Sequence, residues 1–171
     1  MRLDSTAAAY GNFQVVFTDL TDHLAVATFR LRERKETSLT FEAVFGQRFK
    51  ETLTQFRREL QQFDNRFPVS HSVATLRETC TLISTLSRWR NDRVHARVRM
   101  TEDGYALYDW RTRHRLEITQ EQIEKNIQLT VKAIVELETH VPHLIGLLDW
   151  DEEFERLYST VPELSEPAED A

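Results

Sequence analysis

The sequence contains few of the residues that break or cross-link a chain. Its 171 residues include one cysteine, four glycines and four prolines. The single Cys80 cannot form an internal disulfide, and no second cysteine is present to build a zinc site. Because glycine and proline mark most tight turns, their scarcity predicts long regular elements joined by few loops.

Long apolar runs are also absent. No stretch approaches the roughly 18 apolar residues of a membrane span, and the start, MRLDSTAAAYGNF, lacks the apolar core of a signal peptide. Together with the lone cysteine, these absences favour a cytoplasmic protein that makes no membrane contact. Hydrophobic residues make up 40% and charged residues 29% of the chain, which is typical of one soluble globular domain.

Charge is distributed unevenly around the net value of -6. Residues 149–171 hold nine of the 28 acidic residues and one of the 22 basic residues, which leaves 19 acidic and 21 basic residues in 1–148. Residues 86–115 contain eight arginines and four acids. One guanidinium group can bind two phosphate oxygens at once, so this zone is a candidate phosphate-binding surface. A solvated arginine-rich surface with no ligand is the alternative.

Apolar residues recur at spacings of three and four along most of the chain, as in amphipathic helices. The pattern predicts a first helix over about 12–34 and a second over about 41–67, which ends at Pro68 because proline cannot continue the backbone bonding. A third helix begins near 70–72. Its apolar residues are expected in the core, as are the phenylalanines of the second helix.

After His95 the pattern changes. A turn signal at Asp103 and Gly104, between short aromatic segments, predicts a small β-hairpin over about 97–118. Thr119, with Gln122 three residues later, is the predicted N-cap of a fourth helix. Pro142 is expected to kink or restart that helix before a final amphipathic segment.

These elements predict an all-α protein with four to five helices. Four helices are long, one is short, and the hairpin is inserted between the third and fourth long helices. A single helical domain is expected over 1–158. Residues 159–171 form an acidic segment with almost nothing apolar to bury, so we expect a disordered tail.

Reactive side chains are concentrated in STLSRWRNDRVHARV, residues 84–98. Steps of four and three lead from Leu76 to Arg90, so this arginine continues an apolar track, where a charge is costly unless it is paired or bound. Asn91 and His95 share a helix face, so the amide could orient the imidazole. Arg90 and His95 lie about 140° apart around a straight helix. A site containing both needs the helix to end between them, or a second copy of the chain.

The stretch RNDRVH resembles the Arg-polar-x(3–5)-His signature of HEPN domains. This α-helical family includes many prokaryotic ribonuclease toxins and the nuclease domains of some RNA-guided CRISPR effectors. Arg90 takes the arginine position, Asn91 the polar position and His95 the histidine position. The resemblance covers about residues 72–135 and extends to the hairpin that follows the motif in some members.

Spacing alone does not define the motif. Arg66 and His71 are separated by the same number of residues, but Phe67 and Pro68 follow the arginine and predict a turn between two helices. Only the pair Arg90 and His95 has both a polar neighbour and a helical context.

The resemblance implies a HEPN-like bundle that acts as a metal-independent endoribonuclease, a toxin or defence effector restrained by a cognate antitoxin or another regulatory partner. His95 would serve as general acid or base, Arg90 would stabilise charge on the phosphate, and Asn91 would orient them, in a composite site of a homodimer joined through the third and fourth helices. No metal or other cofactor is implied. Flanking arginines would bind RNA phosphates: Arg88, Arg93, Arg97 and Arg99.

Alternatives remain at the level of sequence. The chain could be a catalytically inactive HEPN-fold dimer that binds RNA or serves as a scaffold. Outside the family, His95 would be a hydrogen-bonded histidine at a helix terminus, and Arg90 would pair with an acid from another helix. Trp89 either stacks on a base or closes the core. One toxin subgroup carries a tyrosine two residues after the histidine, for modification by its antitoxin; Arg97 stands there, which puts that mode of control in doubt.

Overall fold

The computed structural model describes residues 2–34, 38–101, 104–109, 112–116 and 118–159. The predicted all-α class is confirmed, because four long helices and one short helix contain most of the described residues. The predicted acidic tail lies outside the described residues from position 160 onward. In chain order the elements are α1 (Arg2–Arg32), α2 (Phe41–Phe45), α3 (Phe49–Arg66), α4 (His71–Val94), β1 (Arg97–Thr101), β2 (Gly104–Tyr108), β3 (Arg115–Leu116) and α5 (Gln120–Ser159).

Helices α1 and α5 form the most extensive helix pair of the bundle. Helix α5 also packs along α4, and α3 packs against α1 and α4. Apolar residues at the predicted spacings of three and four form one core, which includes Phe13, Phe17, Leu20, Leu24, Phe56, Leu60, Phe63, Leu76, Ile83, Leu86, Ile123, Leu137, Val141 and Leu144. Within the described residues, no helix has the length and apolar character that a membrane crossing requires.

The predicted second helix is two helices. The prediction of one continuous helix over 41–67 is wrong, because the chain leaves helical geometry between α2 and α3. The short helix α2 ends at Phe45, and the N–H of the following Gly46 donates to the carbonyl of Glu42 at 2.8 Å. Arg48 is extended, with ψ at 141°, and its N–H donates to the Glu51 carboxylate at 3.3 Å. This cap starts α3 independently of the phenylalanine spacing.

Both terminal helices are longer than the sequence pattern predicts. Helix α1 begins at Arg2, about ten residues before the predicted start. Helix α5 runs for 40 residues with Pro142 inside it, so the predicted restart at this proline is wrong. Pro142 is exposed, whereas the flanking Val141 and Leu144 are buried. Burial on both sides stabilises the helix across the position where proline removes one backbone hydrogen bond.

Three short strands lie between α4 and α5. They form an antiparallel sheet in the order β1-β2-β3, in which Arg97 pairs with Tyr108 and Tyr108 pairs with Arg115. Asp103 of the predicted turn lies outside the described residues. The first strand starts two residues after His95, so the sheet follows directly on the end of α4.

Two ion pairs join the end of α5 to the preceding helices. Arg34, which follows α1, donates to Asp149. Arg66, the last residue of α3, donates from Nε to Asp151 at 2.7 Å and lies 4.0 Å from Glu155. The acidic end of α5 is therefore in contact with basic residues at the ends of α1 and α3.

The N-cap of α5 offers a test of the fold. The Thr119 hydroxyl accepts from the N–H of Gln122 at 3.2 Å, as the sequence predicts. Thr119→Ala should lower the free energy of unfolding by about 0.5–2 kcal/mol, because a first-turn N–H loses its acceptor. Urea denaturation followed by circular dichroism measures the change. The matched variant Thr139→Ala, at an exposed position within α5, should not destabilise; equal losses in both variants would contradict the cap.

The buried Cys80 predicts a loss of stability at alkaline pH. Burial raises the pKa of its thiol from 9.0 to about 11, although Arg57 opposes the shift. The unfolded thiol ionises first as pH rises, so this contribution is complete below pH 9 and disappears as pH approaches 11. For a shift of this size the loss is about 3 kcal/mol. Urea unfolding at pH 8 and pH 11 should therefore show a smaller pH-dependent loss for Cys80→Ala than for the unaltered protein. Identical losses would exclude the effect.

Candidate functional site

Arg90 lies on the side of α4 that faces α1. Its Nε donates to the side-chain oxygen of Gln14 at 2.9 Å, and its guanidinium carbon lies 5.3 Å from the centre of the Phe17 ring. The placement on the apolar track is as the sequence predicts. The alternative interpretation of Arg90 is an ion pair with an acid from another helix. No such acid contacts Arg90 among the described residues. Its hydrogen-bond partners are neutral amides, so the guanidinium is held in place and no described carboxylate pairs with its charge.

The sequence suggests a contact between the side chains of Asn91 and His95, but the structure does not show one. The Asn91 side-chain oxygen accepts from Nη1 of Arg90 at 3.4 Å, and both Asn91 and His95 are exposed. Helix α4 ends at Val94, and His95 is the C-cap, whose N–H donates to the carbonyl of Asn91 at 3.1 Å. Among the described residues, the imidazole has no hydrogen-bond or ion-pair partner. The helix therefore ends between Arg90 and His95.

Trp89 belongs to the core edge. Its ring meets Phe13 edge to face at 4.9 Å, and the guanidinium carbon of Arg93 lies 4.1 Å from its centre. Arg93 also donates to the backbone carbonyl of Trp89 at 3.1 Å. Burial lowers the pKa of Arg93, while Asp92 and Tyr10 raise it. Trp89 therefore closes the core, and Arg93 covers an indole face that a base would need for stacking.

Tyr10 is a neighbour of the site that the sequence pattern did not reveal. Burial raises the pKa of Tyr10, and the nearby Gln14 amide and the charges of Arg90 and Arg93 partly offset this. We call Tyr10, Gln14, Arg90 and Asn91 the α1–α4 polar cluster. Since Tyr10 precedes Phe13 by three residues, extending the apolar spacing of α1 toward the chain start would have found it.

The other arginines of the predicted phosphate-binding zone lie on α4, on β1 and near β3. Arg88 is exposed on α4. Arg97 and Arg99 lie on β1, but their side chains are outside the described part of the structure. Arg113 and Arg115 are exposed in and after the loop that follows β2, with Arg113 at a φ of 59°. Arg88, Arg90 and Arg93 thus lie within the last two turns of α4 and provide the described positive charge around His95.

Arg66 and His71, the second pair with the motif spacing, lie where α3 ends and α4 begins. Arg66 ends α3, and residues 67–70 form the predicted turn before α4. The adjoining cleft, of about 630 Å³, contains His140, which bonds Ser72 through Nδ1 at 3.0 Å and contacts Glu136 through Nε2 at 3.1 Å. Both ring nitrogens of His140 are engaged within the protein. No group of three or more histidine, cysteine, aspartate or glutamate residues suited to a metal ion occurs in the described ranges.

The link between α1 and α4 predicts a measurable coupling. Arg90→Met removes the donor and Gln14→Leu removes the acceptor, so the two losses of stability should not add. The expected coupling free energy is about 0.5–1.5 kcal/mol, as for one partly buried hydrogen bond. Urea denaturation of both single variants and the double variant gives this value. A second cycle, with Gln128→Leu at an exposed position on α5, should be additive; coupling of equal size there would contradict a direct bond.

Comparison with known proteins gives no relative. No family model, no curated protein and no solved structure matches the chain. The resemblance to HEPN domains consequently depends on the residues of the motif and on the helical fold class. What these residues do is therefore argued below from their positions and chemistry.

Proposed function

We propose that the protein is a metal-independent endoribonuclease of the HEPN type, acting as a toxin or defence effector in the cytoplasm. His95 exchanges protons with the RNA, Arg90 stabilises charge on the phosphate, and Asn91 orients Arg90. The observation that carries the proposal is the exposed His95 imidazole, without a partner among the described residues, at the arginine-rich end of α4.

The state of Arg90 supports this assignment. A guanidinium that pairs with a carboxylate has its charge compensated, whereas the described partners of Arg90 are the side-chain oxygens of Gln14 and Asn91. Both contacts fix its direction without neutralising it. A preorganised cation of this kind stabilises the charge that develops on a phosphate during cleavage.

The chemistry requires no resident cofactor. The 2'-oxygen of a ribose attacks the adjacent phosphorus, its proton passes to an imidazole, and the bond from phosphorus to the 5'-oxygen breaks as that oxygen receives a proton. The products are a 2',3'-cyclic phosphate and a free 5'-hydroxyl. Histidine is the side chain most often used for either proton transfer.

A homodimer through α4 and α5 completes the proposal. Arg90 contacts α1 within its own chain, while His95 is the exposed residue that follows α4, and no contact joins the two side chains among the described residues. Two α4 ends related by a two-fold axis bring a second His95 and a second Arg90 to one cleft. An antitoxin or regulatory partner is expected to restrain such an exposed site.

Cleavage of labelled RNA in EDTA tests the function. His95→Ala and Arg90→Met should reduce the rate at least about 100-fold, because each removes a proton-transfer or charge-stabilising group. His143→Ala and Arg58→Met, at exposed positions on α5 and α3, are matched controls that should cleave normally. Product analysis should detect the cyclic phosphate.

The contradicting results are specific. If the dimeric, folded protein leaves RNA intact, or if His95→Ala cleaves as fast as the controls, the enzyme proposal fails. Expression in cells adds an independent readout, since the active protein should arrest growth and His95→Ala should not.

One observation favours a non-catalytic alternative, a HEPN-fold dimer that binds RNA or acts as a scaffold. Arg90 links α1 to α4 through Gln14 and Phe17 and so has a structural use without catalysis. This module would retain salt-dependent RNA binding while cutting nothing. Binding without cleavage, unaffected by His95→Ala, identifies it.

A further inference from the structure

The cleft at the start of α4 holds a serine, a histidine and a glutamate in one hydrogen-bonded network. Nδ1 of His140 lies 3.0 Å from the Ser72 hydroxyl oxygen, and Nε2 of the same ring lies 3.1 Å from the Glu136 carboxylate. Ser72 belongs to the first turn of α4, whereas Glu136 and His140 lie one turn apart on α5. The packing of α4 on α5 therefore brings a hydroxyl to an imidazole that a carboxylate already holds.

The carboxylate determines which ring nitrogen carries the proton. An ionised carboxylate only accepts hydrogen bonds, so Nε2 of His140 donates to Glu136. Nδ1 then has a free lone pair and accepts from the Ser72 hydroxyl. A hydroxyl that donates to an imidazole, itself oriented by a third group, is the arrangement that activates serine as a nucleophile. The ring is reversed relative to serine proteases, where Nε2 faces the serine, but either nitrogen can accept the proton.

The cleft walls indicate what the serine acts on. The volume of about 630 Å³ lies within the range of small-molecule sites. Ser72 is only 4% exposed and the His140 side chain 16%, but both form part of the cleft wall, where a bound molecule meets them. Arg66, which also lines the cleft, is already paired with Asp151. A short apolar acyl group fits the remaining surface, to which four side chains contribute: Phe67, Pro68, Val69 and Leu147.

Donors for a developing negative charge come from the start of α4. The Ser70 side chain forms no capping hydrogen bond with this helix. The first N–H groups of a helix have no carbonyl partner within the helix, and such groups stabilise the oxyanion formed during acyl transfer. A carbonyl group attacked by Ser72 develops its charge beside them.

We propose that Ser72, His140 and Glu136 form a second active site, which hydrolyses esters of short apolar acids. The Ser72 oxygen attacks the carbonyl carbon, its proton passes to Nδ1 of His140, and the carbonyl electron pair moves to oxygen. The carbonyl then re-forms, the bond to the alcohol oxygen breaks, and that oxygen takes the proton from Nδ1. Water, giving a proton to Nδ1, attacks the acyl group; the acid leaves and Ser72 recovers the proton. Glu136 holds the ring without touching the substrate.

This site is separate from the proposed ribonuclease site. Ser72 and His95 lie at opposite ends of α4, which at about 1.5 Å per residue places them roughly 35 Å apart. The inference does not rest on the proposed function. His95→Ala should therefore leave ester hydrolysis unchanged, whether or not the protein cleaves RNA.

Labelling with a fluorophosphonate tests the nucleophile. Such a probe reacts with a serine that a neighbouring base activates, so one probe should attach per chain, and peptide mass mapping should locate it on Ser72. Ser72→Ala should stay unlabelled, whereas Ser38→Ala, at an exposed position before α2, should label like the unaltered protein. Absence of labelling in the folded, unaltered protein, or equal labelling of Ser72→Ala, overturns the proposal.

Hydrolysis of para-nitrophenyl butyrate tests the base. His140→Gln should reduce the turnover at least about 100-fold. The control His23→Gln, which removes an imidazole that contacts Glu138 at 3.4 Å, should hydrolyse the ester normally. Equal rates in the two variants contradict the role of His140. If His140→Gln fails to fold, labelling of Ser72 in the unaltered protein still decides.

Nuclear magnetic resonance of the ring nitrogens tests the positioning role of Glu136. In the unaltered protein the proton of His140 should reside on Nε2. Glu136→Gln should move part of the population to Nδ1 and slow the hydrolysis, because an amide donates as well as accepts. An unchanged proton position together with an unchanged rate would exclude this role.

Discussion

The position of every proposed site depends on the burial of one face of α5. Residues from Ile123 to Leu148 along this helix enter the core, and α1 and α4 both pack against it. Two helices supported by a common third cannot shift independently without exposing apolar surface. The α1–α4 polar cluster is therefore positioned by this packing. The fold fixes the last turns of α4 from two sides.

This arrangement divides the motif into a fixed and an exposed part. Arg90 lies within the packed portion of α4 and is oriented by α1, whereas His95 lies beyond the last helical residue, in solvent. A group that stabilises charge benefits from rigid placement, because no energy is then spent on reorientation during the reaction. A group that transfers protons must reach the substrate. The different placements of Arg90 and His95 suit the two proposed roles. The contacts of Arg90 with α1 also stabilise the fold, with or without catalysis.

Periodic and local signals in the sequence predicted most of the bundle. The apolar spacing identified the core, and Thr119 was recognised as a cap because its partner is three residues away. The break before α3 is not predicted, because the phenylalanine spacing continues across it without interruption. The cap by Glu51 that starts α3 is a weaker signal than this spacing. The passage of α5 through Pro142 depends on tertiary burial, which no local rule contains. Gln14, 76 residues from Arg90, could not be paired with it from spacing at all.

The ion pairs at the end of α5 change how the acidic part of the chain should be understood. Composition alone describes this region as a block of negative charge that would repel a polyanion. Asp149 and Asp151, however, lie against Arg34 and Arg66, which are far away in sequence. Each such contact merges opposite charges into a local dipole, whose field decays much faster with distance than that of an isolated carboxylate. A nucleic acid approaching this end of the molecule therefore meets a weaker barrier than a count of aspartates and glutamates suggests.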